Sequence, residues 1–314
     1  MIRIGTRESQ LAVWQASQVQ DLLSKNNFKS ELVFIKSEGD IDLKTPLYEM
    51  GVQGIFTRSL DSALLNNKID IAVHSMKDVP IQLAAGLTQA AVLERASYKD
   101  LLVFKDKSVI DKWENKVLDN NSSLVDAGII ATSSIRRKAQ WLNRYPNHCI
   151  ENLRGNVNTR LNKLEENNWD AAIFAAAGLE RIGLRPAKSI ELNWMLPAPA
   201  QGAIMVVCRQ HDNYCEAACA NFNHADTALC TKIERDFLKI LLGGCSTPIS
   251  ALAVRENETI HFKGNIFSVD GKEKVEIEKS ILLMDAADIG KFAAQHIIQN
   301  GGQKIMEGIR NAAS

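Results

Sequence analysis

The stretch LPAPAQGAIMVVCR, residues 196–209, decides how the chain is organised. Its run AIMVV is short, apolar and β-branched behind a segment bearing Pro and Gly, which reads as a buried strand. The strand has no partner helix of its own type. The chain is therefore expected to return here to the unit in which it began.

Working outward, short β-branched strands alternate with helix-period segments, the pattern of α/β domains with mostly parallel sheets. IRIGT opens the first unit, and residues 9–26 follow as an amphipathic helix with Leu11, Val19, Leu22 and Leu23 inward. ELVFIKS is the next strand. EGDIDLKTPLYEMGVQG (38–54) has no clear period and resembles a loop of the kind that lids an active site. A helix over 55–66 and the strand IDIAV lead into HSMKDVP (74–80). A second unit starts near residue 99, where AGIIAT runs into SSIRRKAQWL, CIENL into RGNVNTRLNKLEE, and DAAIFAA into AGLERIG. From about residue 217 the character changes to a long helix, three strands near 250–284 and a helical end, a smaller α+β domain. The expected division is 1–96 with 197–216, then 97–196, then 217–314.

With 314 residues, two or three domains are expected, each with its own core. Apolar residues at 46% and charged residues at 24% are the soluble globular mix and exclude a disordered or fibrous chain. The apolar runs are far below membrane-spanning length, and MIRIGTRESQ lacks the plan of a signal peptide, so a cytoplasmic protein without membrane partners is expected. Zero net charge and 6% aromatics speak against a nucleic-acid partner. Any anion site must be local. The six cysteines (149, 208, 215, 219, 230, 245) contain no CxxC pair and are expected to be free thiols. His211, Cys215 and Cys219 fall at i, i+4, i+8, but no fourth ligand suggests itself, and no metal is assigned.

The arginines carry more information. Ser9, Ser133 or Ser134, and Asn156 are N-cap candidates, which puts Arg7, Arg136, Arg137 and Arg160 at or near helix N-termini. That is the unfavourable end of the dipole for a cation, costing a few tenths to about 1 kcal/mol each unless an anion joins them. The same geometry makes a carboxylate or phosphate cradle, with hydroxyl donors from Thr132, Ser133 and Ser134. Taken singly, each is a solvated surface arginine. Together with Arg154 and Arg181 at the other strand ends, where α/β sheets collect ligands, they imply a small ligand with many negative groups. Lys77 and Asp78 directly follow a buried strand and are held by Pro80. A carboxylate among so many cations does not help to bind an anion, so Asp78 is expected to stabilise a developing cation or to move a proton. Cys245, within LLGGCSTPIS (241–250), stays open as a redox thiol, a nucleophile or a core residue.

GTRES, VHSMKDVP, TSSIRR, LRGNVNTRL, AAGLERIG, QGA and GGCSTPI occur in the order and approximate spacing of the porphobilinogen deaminase (hydroxymethylbilane synthase) family, and the resemblance runs over essentially the whole chain. It implies an α/β fold of two periplasmic-binding-protein-like domains around a cleft, plus a small α+β C-terminal domain. It implies a transferase, monomeric, that joins four porphobilinogen molecules head to tail, releases ammonia from each, and frees the linear tetrapyrrole by hydrolysis. The family's covalent dipyrromethane cofactor would be held as a thioether on Cys245, with Ser75, Lys77, Thr132, Ser134, Arg136 and Arg137 around it. Asp78 matches the catalytic aspartate, and Arg7, Ser9, Arg154, Arg160 and Arg181 match positions that bind the carboxylate arms of substrate or growing chain. Gln53 and Phe56 fall in the lid. The chain departs from the family pattern at Gln10, where Pro is common, at Val52 and Gln53, where Gly and Lys are usual, and at Ala200, where Gly is common. A non-catalytic two-domain binding protein for a small polycarboxylate is the other reading, and it would need neither the GGC turn nor Asp78.

Overall fold

The computed structural model describes residues 1–36, 57–118, 128–241 and 247–313. The first lobe begins with β1 (Ile2–Thr6), α1 (Gln10–Lys25), β2 (Ser30–Phe34), α2 (Arg58–Leu65), β3 (Ile71–Ser75) and β4 (Leu87–Val92). The second holds β5 (Asp100–Phe104), α3 (Lys107–Leu118), β6 (Ile129–Ala131), α4 (Ile135–Arg144), β7 (Cys149–Glu151), α5 (Val157–Glu166), β8 (Ala171–Ala175), α6 (Ala176–Glu180) and β9 (Ser189–Glu191). The chain then returns with β10 (Ile204–Arg209) and α7 (Asn213–Ala220). The last part comprises α8 (Ala225–Ile240), β11 (Ile249–Glu256), β12 (Thr259–Phe267), β13 (Lys274–Leu282), α9 (Ile289–Ile297) and α10 (Gln303–Ala313).

Strand β10 does return: it pairs antiparallel with β3 and β4, completing a sheet of order β2-β1-β3-β10-β4. The second sheet repeats the plan as β7-β6-β8-β5-β9, with β5 as its single antiparallel strand. The remaining strands of each sheet run parallel, and apolar side chains fill both faces of both sheets. The third sheet is an antiparallel meander, β11-β12-β13, whose core is closed by α8 and α9 around Phe237 and Phe262. The architecture is thus two α/β lobes of like strand order plus a smaller α+β unit.

Local chemistry sets the helix ends. The Ser9 hydroxyl accepts from the Ala12 N–H and starts α1, which buries Ala16, Val19 and Leu23 on one face, with Leu11 and Leu22 half-buried at its edge. Asn27, at φ 65°, turns the chain away from α1 toward β2. His211 does not share a helix face with Cys215 and Cys219, because it precedes the N-cap Asp212 in a φ 64° turn and is exposed. The two cysteines pack into the first core, and burial pushes the Cys215 thiol far above its ordinary range and that of Cys219 up to about 12, out of reach of thiolate chemistry. Among the described residues, no group of three or more His, Cys, Asp or Glu is placed to hold a metal ion, and no helix is long and apolar enough to cross a membrane.

The two passages between lobes lie side by side. The Ala96 N–H donates to the Gly202 carbonyl at 3.1 Å, and the Arg95 Nε donates to the Gln201 carbonyl at 2.8 Å. Ala200 holds φ 60°, a conformation that glycine adopts without strain, so the departure to alanine carries a local cost. Gly202, at φ 88°, has no such latitude: a Cβ there would stand 2.7 Å from the Ala96 carbonyl oxygen and 2.8 Å from that of Ser97. Gly202→Ala is expected to lower stability by roughly 1–3 kcal/mol, read as a fall in the urea midpoint; an unchanged midpoint would show that the two passages part freely.

Candidate active site

The carboxyl ends of β1, β3, β6, β7 and β8 face one cavity of about 280 Å3 between the lobes. Three helix N-termini open onto it. Ser9 caps α1, Ser134 caps α4 by accepting from the Arg137 N–H, and Asn156 caps α5 by accepting from the Thr159 N–H. Each brings unpaired backbone N–H groups and the positive end of a dipole to the cleft. Among the described residues, the lining carries six cationic side chains, Arg7, Lys77, Arg136, Arg137, Arg154 and Arg160, and one acidic side chain, Asp78.

The floor is organised by Asp100, the first residue of β5, whose carboxylate is fully buried. It accepts from Arg136 Nη2 at 2.8 Å, from Arg137 Nη2 at 2.8 Å and Nε at 3.2 Å, and from Gln201 Nε2 at 2.9 Å. Burial alone would raise its proton affinity, but the Arg136 and Arg137 charges and hydrogen bonds outweigh that and hold it well below the usual carboxylate range. Two guanidiniums thus share one carboxylate, and a net positive charge is left on the cleft floor. Arg136 also donates from Nη1 to the Leu196 carbonyl at 2.7 Å, while its buried Nε has no acceptor among the described residues. That donor set fits a ligand rich in carboxylates, as a pyrrole chain with acidic arms is.

Asp78 and Lys77 sit on a single 3-10 turn, Met76–Asp78, that directly continues β3. Lys77 Nζ donates to Gln201 Oε1 at 3.3 Å, so Gln201, itself almost wholly buried, joins Lys77 to Asp100. Desolvation brings the Lys77 ammonium down to about 8, with Arg137 and Arg136 adding to the effect and Asp78 and Asp100 resisting it. Desolvation likewise brings Arg160 down to about 10, aided by Arg137 and Arg154 and opposed by Asp78. Asp78 from the first lobe therefore acts electrostatically on Arg160 from the second. Ser75 is oriented by Gln15 of α1 through a 2.9 Å bond, and Arg160 Nε is held on the Gly155 carbonyl at 2.7 Å.

Among the residues singled out in the sequence, Arg7, Ser9, Ser75, Lys77, Asp78, Thr132, Ser134, Arg136, Arg137, Arg154 and Arg160 all line this one cavity. Arg181 does not. It forms the C-terminal cap of α6, donates from Nη2 to the Gly202 carbonyl at 2.6 Å and lies over the Trp14 ring, so it ties one lobe to the other. Cys245, Gln53 and Phe56, with the whole of the expected lid, lie outside the described residues. Gln10 reaches across the cleft and accepts from Asn158 Nδ2 at 3.0 Å, an interlobe bond that a proline there would lack. Asp100 and Gln201 escaped the sequence reading as site residues. A lone carboxylate opening the buried strand DLLVF was the available signal for Asp100, and Gln201 had only its place in QGA.

Two α/β lobes with a cationic cleft at their helix N-termini form a site whose chemistry suits a small polyanion. The family model described as porphobilinogen deaminase, dipyromethane cofactor binding domain, matches residues 2–217, and the model of the porphobilinogen deaminase C-terminal domain matches 228–299. The porphobilinogen deaminase of Syntrophomonas wolfei is 39% identical over 310 residues, covering 97% of this chain and 97% of that one. That of Listeria monocytogenes is 36% identical over 317 residues, covering 99% and 98%. Among solved structures, the BvgS VFT2 domain of Bordetella pertussis aligns with 70% of this chain and 85% of its own at 11% identity and a TM-score of 0.42. The chain belongs to the porphobilinogen deaminase family, and its first two lobes are that family's dipyrromethane-binding part.

The depressed proton affinity of Lys77 has a defined sign. The unfolded chain keeps this proton up to about 10.5 and the folded one only up to about 8, so the cost of burying the charge is present below about 8 and is relieved between those values. With no dipyrromethane attached, a carboxylate of porphobilinogen placed at Lys77 would be held by this charge. In a Cys245→Ser protein, affinity for porphobilinogen measured by calorimetry is expected to weaken as pH rises above about 8, and Lys77→Arg is expected to remove that inflection. An equal weakening in Lys77→Arg would assign it to another group.

Proposed function

We infer that this cleft carries out the reaction of its family, the head-to-tail joining of four porphobilinogen molecules with loss of ammonia, on a chain primed by dipyrromethane. The observation that carries the reading is Asp78, the one carboxylate among the described lining residues, on a turn that continues β3 and amid six cations of that lining. Phosphate binding would account for the cations and leave Asp78 unexplained. A substrate with two carboxylates per pyrrole and a cationic reacting centre uses both.

When bound through Cys245, the dipyrromethane supplies the pyrrole terminus to which rings are added. Lys77, Arg136, Arg137, Ser75, Thr132 and Ser134 hold its acid arms; Arg7, Ser9, Arg154 and Arg160 hold those of the incoming ring. Arg181 reaches a lengthening chain by exchanging the Gly202 carbonyl for a carboxylate. The aminomethyl C–N bond of the substrate breaks with its electron pair leaving on nitrogen, already an ammonium. Asp78 stabilises the cation left on the ring, and after the new C–C bond forms it takes the ring α-proton. Exclusion of water by the two lobes keeps that electrostatic stabilisation strong.

The proposed domain division is 1–96 with 197–216, 97–196 and 217–314, supported by the three separate sheets. A cytoplasmic monomer without nucleic-acid partners is in keeping with zero net charge. Asp78→Asn keeps the shape and removes the charge, and is expected to cut turnover by about 10²–10⁴-fold with an unchanged melting curve; near-normal turnover would sink the role. Purified from cells that make porphobilinogen, the chain is expected to be heavier than its sequence by one dipyrromethane, and Cys245→Ser to lose that excess. A bare mass in the parent chain would favour a non-catalytic binding protein.

A further inference from the structure

Arg235 stands on α8, outside the cleft, and reaches back to the turn that carries Asp78. Its Nη1 donates to the carbonyl of Val79 at 3.0 Å and, at the longer 3.5 Å, to that of Met76. Its Nη2 donates to the carbonyls of Pro80 at 2.6 Å and Ile81 at 3.1 Å. The four carbonyls bracket Lys77 and Asp78. The turn itself contributes little to its own fixation: the Met76 N–H donates to the Ala203 carbonyl at 3.0 Å, the Val79 N–H to the Met76 carbonyl at 3.2 Å, and Pro80 has no N–H to offer.

The preceding residue on the same helix holds the passages between the lobes. Glu234 is fully buried and accepts from Arg95 Nη1 at 2.6 Å and from the N–H groups of Ala200 at 2.6 Å and Ala253 at 2.8 Å. Two consecutive side chains of α8 therefore grip the passage between the lobes and the Asp78 turn. Helix α8 ends at Ile240, and the chain reaches Cys245 five residues later.

We propose that Arg235 is a positioning residue for Asp78, fixing the Asp78 turn against the helix that leads to the cofactor cysteine. The inference rests on the reading of Asp78 given above. Only a guanidinium meets this demand: its planar fork of donors spans several carbonyls at once, whereas a lysine ammonium at the same place bonds as a point charge on a flexible stem.

The test uses the holoenzyme with Arg235→Lys and Arg235→Gln, and with Lys232→Ala as a control on an exposed position of the same helix. Both Arg235 variants are expected to keep the dipyrromethane mass and the parent melting curve. Their kcat is expected to fall roughly ten- to a hundredfold with KM within about twofold, and amide exchange over residues 76–81 to accelerate. Lys232→Ala is expected to match the parent. Unchanged exchange over 76–81 in both variants overturns the clamp whatever Asp78 does, and so does a KM that rises by the factor that kcat falls. Near-normal turnover in Asp78→Asn overturns the Asp78 reading instead, and with it the positioning role. If Arg235→Gln fails to fold, Arg235→Lys, which keeps the charge, decides by the same exchange measurement.

Discussion

The cleft depends on one buried carboxylate. Asp100 is desolvated, and an isolated charge in that position would be strongly unfavourable; Arg136, Arg137 and Gln201 together satisfy it. Each arginine in turn has an anchor elsewhere, Arg136 on the Leu196 carbonyl and Arg137 on the Ile173 carbonyl at 2.9 Å. The two guanidiniums are consequently fixed before any ligand arrives, and the entropy of ordering them is met by folding rather than by binding. Gln201 extends the same network into the first lobe through Lys77. One acid thus sets the geometry of three cations drawn from both lobes.

The fold brings this about through its double passage between lobes. Asp100 opens the strand that follows the first passage, Gln201 closes the second, and the Arg95 side chain links the two by donating both to the Gln201 carbonyl and to Glu234. A hinge built on hydrogen bonds this dense places its polar groups at the very strand ends where helix N-termini converge. The interlobe bonds at the rim, Gln10 with Asn158 and Arg181 with the Gly202 carbonyl, are of another kind. They are single and partly exposed, worth about 1 kcal/mol each, so they trim the opening of the cleft without fixing it.

What the sequence disclosed was periodicity and punctuation. The return of AIMVV to the first sheet, the caps at Ser9, Ser134 and Asn156, and the gathering of arginines at strand ends all follow from local pattern and the geometry of α/β sheets. What it withheld was pairing. Nothing local marks Asp100 as the partner of residues 36 and 37 positions away, or Arg235 as the partner of a turn more than 150 positions back. Such bonds exist only once tertiary packing has juxtaposed the elements. Arg181 shows the converse limit: placed at a junction by motif, it donates to the Gly202 carbonyl and lies over the Trp14 ring, while its neighbours Leu179 and Ile182 line the cavity.

The cationic lining is also a store of electrostatic work. Desolvation is the largest reason why the proton affinities of Lys77, Arg160 and Arg136 are all reduced, with repulsion among the cations adding to it and Asp78 and Asp100 opposing it. Three helix dipoles add to the positive potential. Folding therefore works against this potential, and the core of each lobe supplies the stability that allows it. A bound carboxylate opposes each of these repulsions at once: it favours the charged form of Lys77, offers an acceptor to the open Nε of Arg136 and neutralises the dipole ends. Binding of a polycarboxylate and stabilisation of the two-lobed fold are the same electrostatic event, because the repulsion relieved in the one is the repulsion sustained in the other.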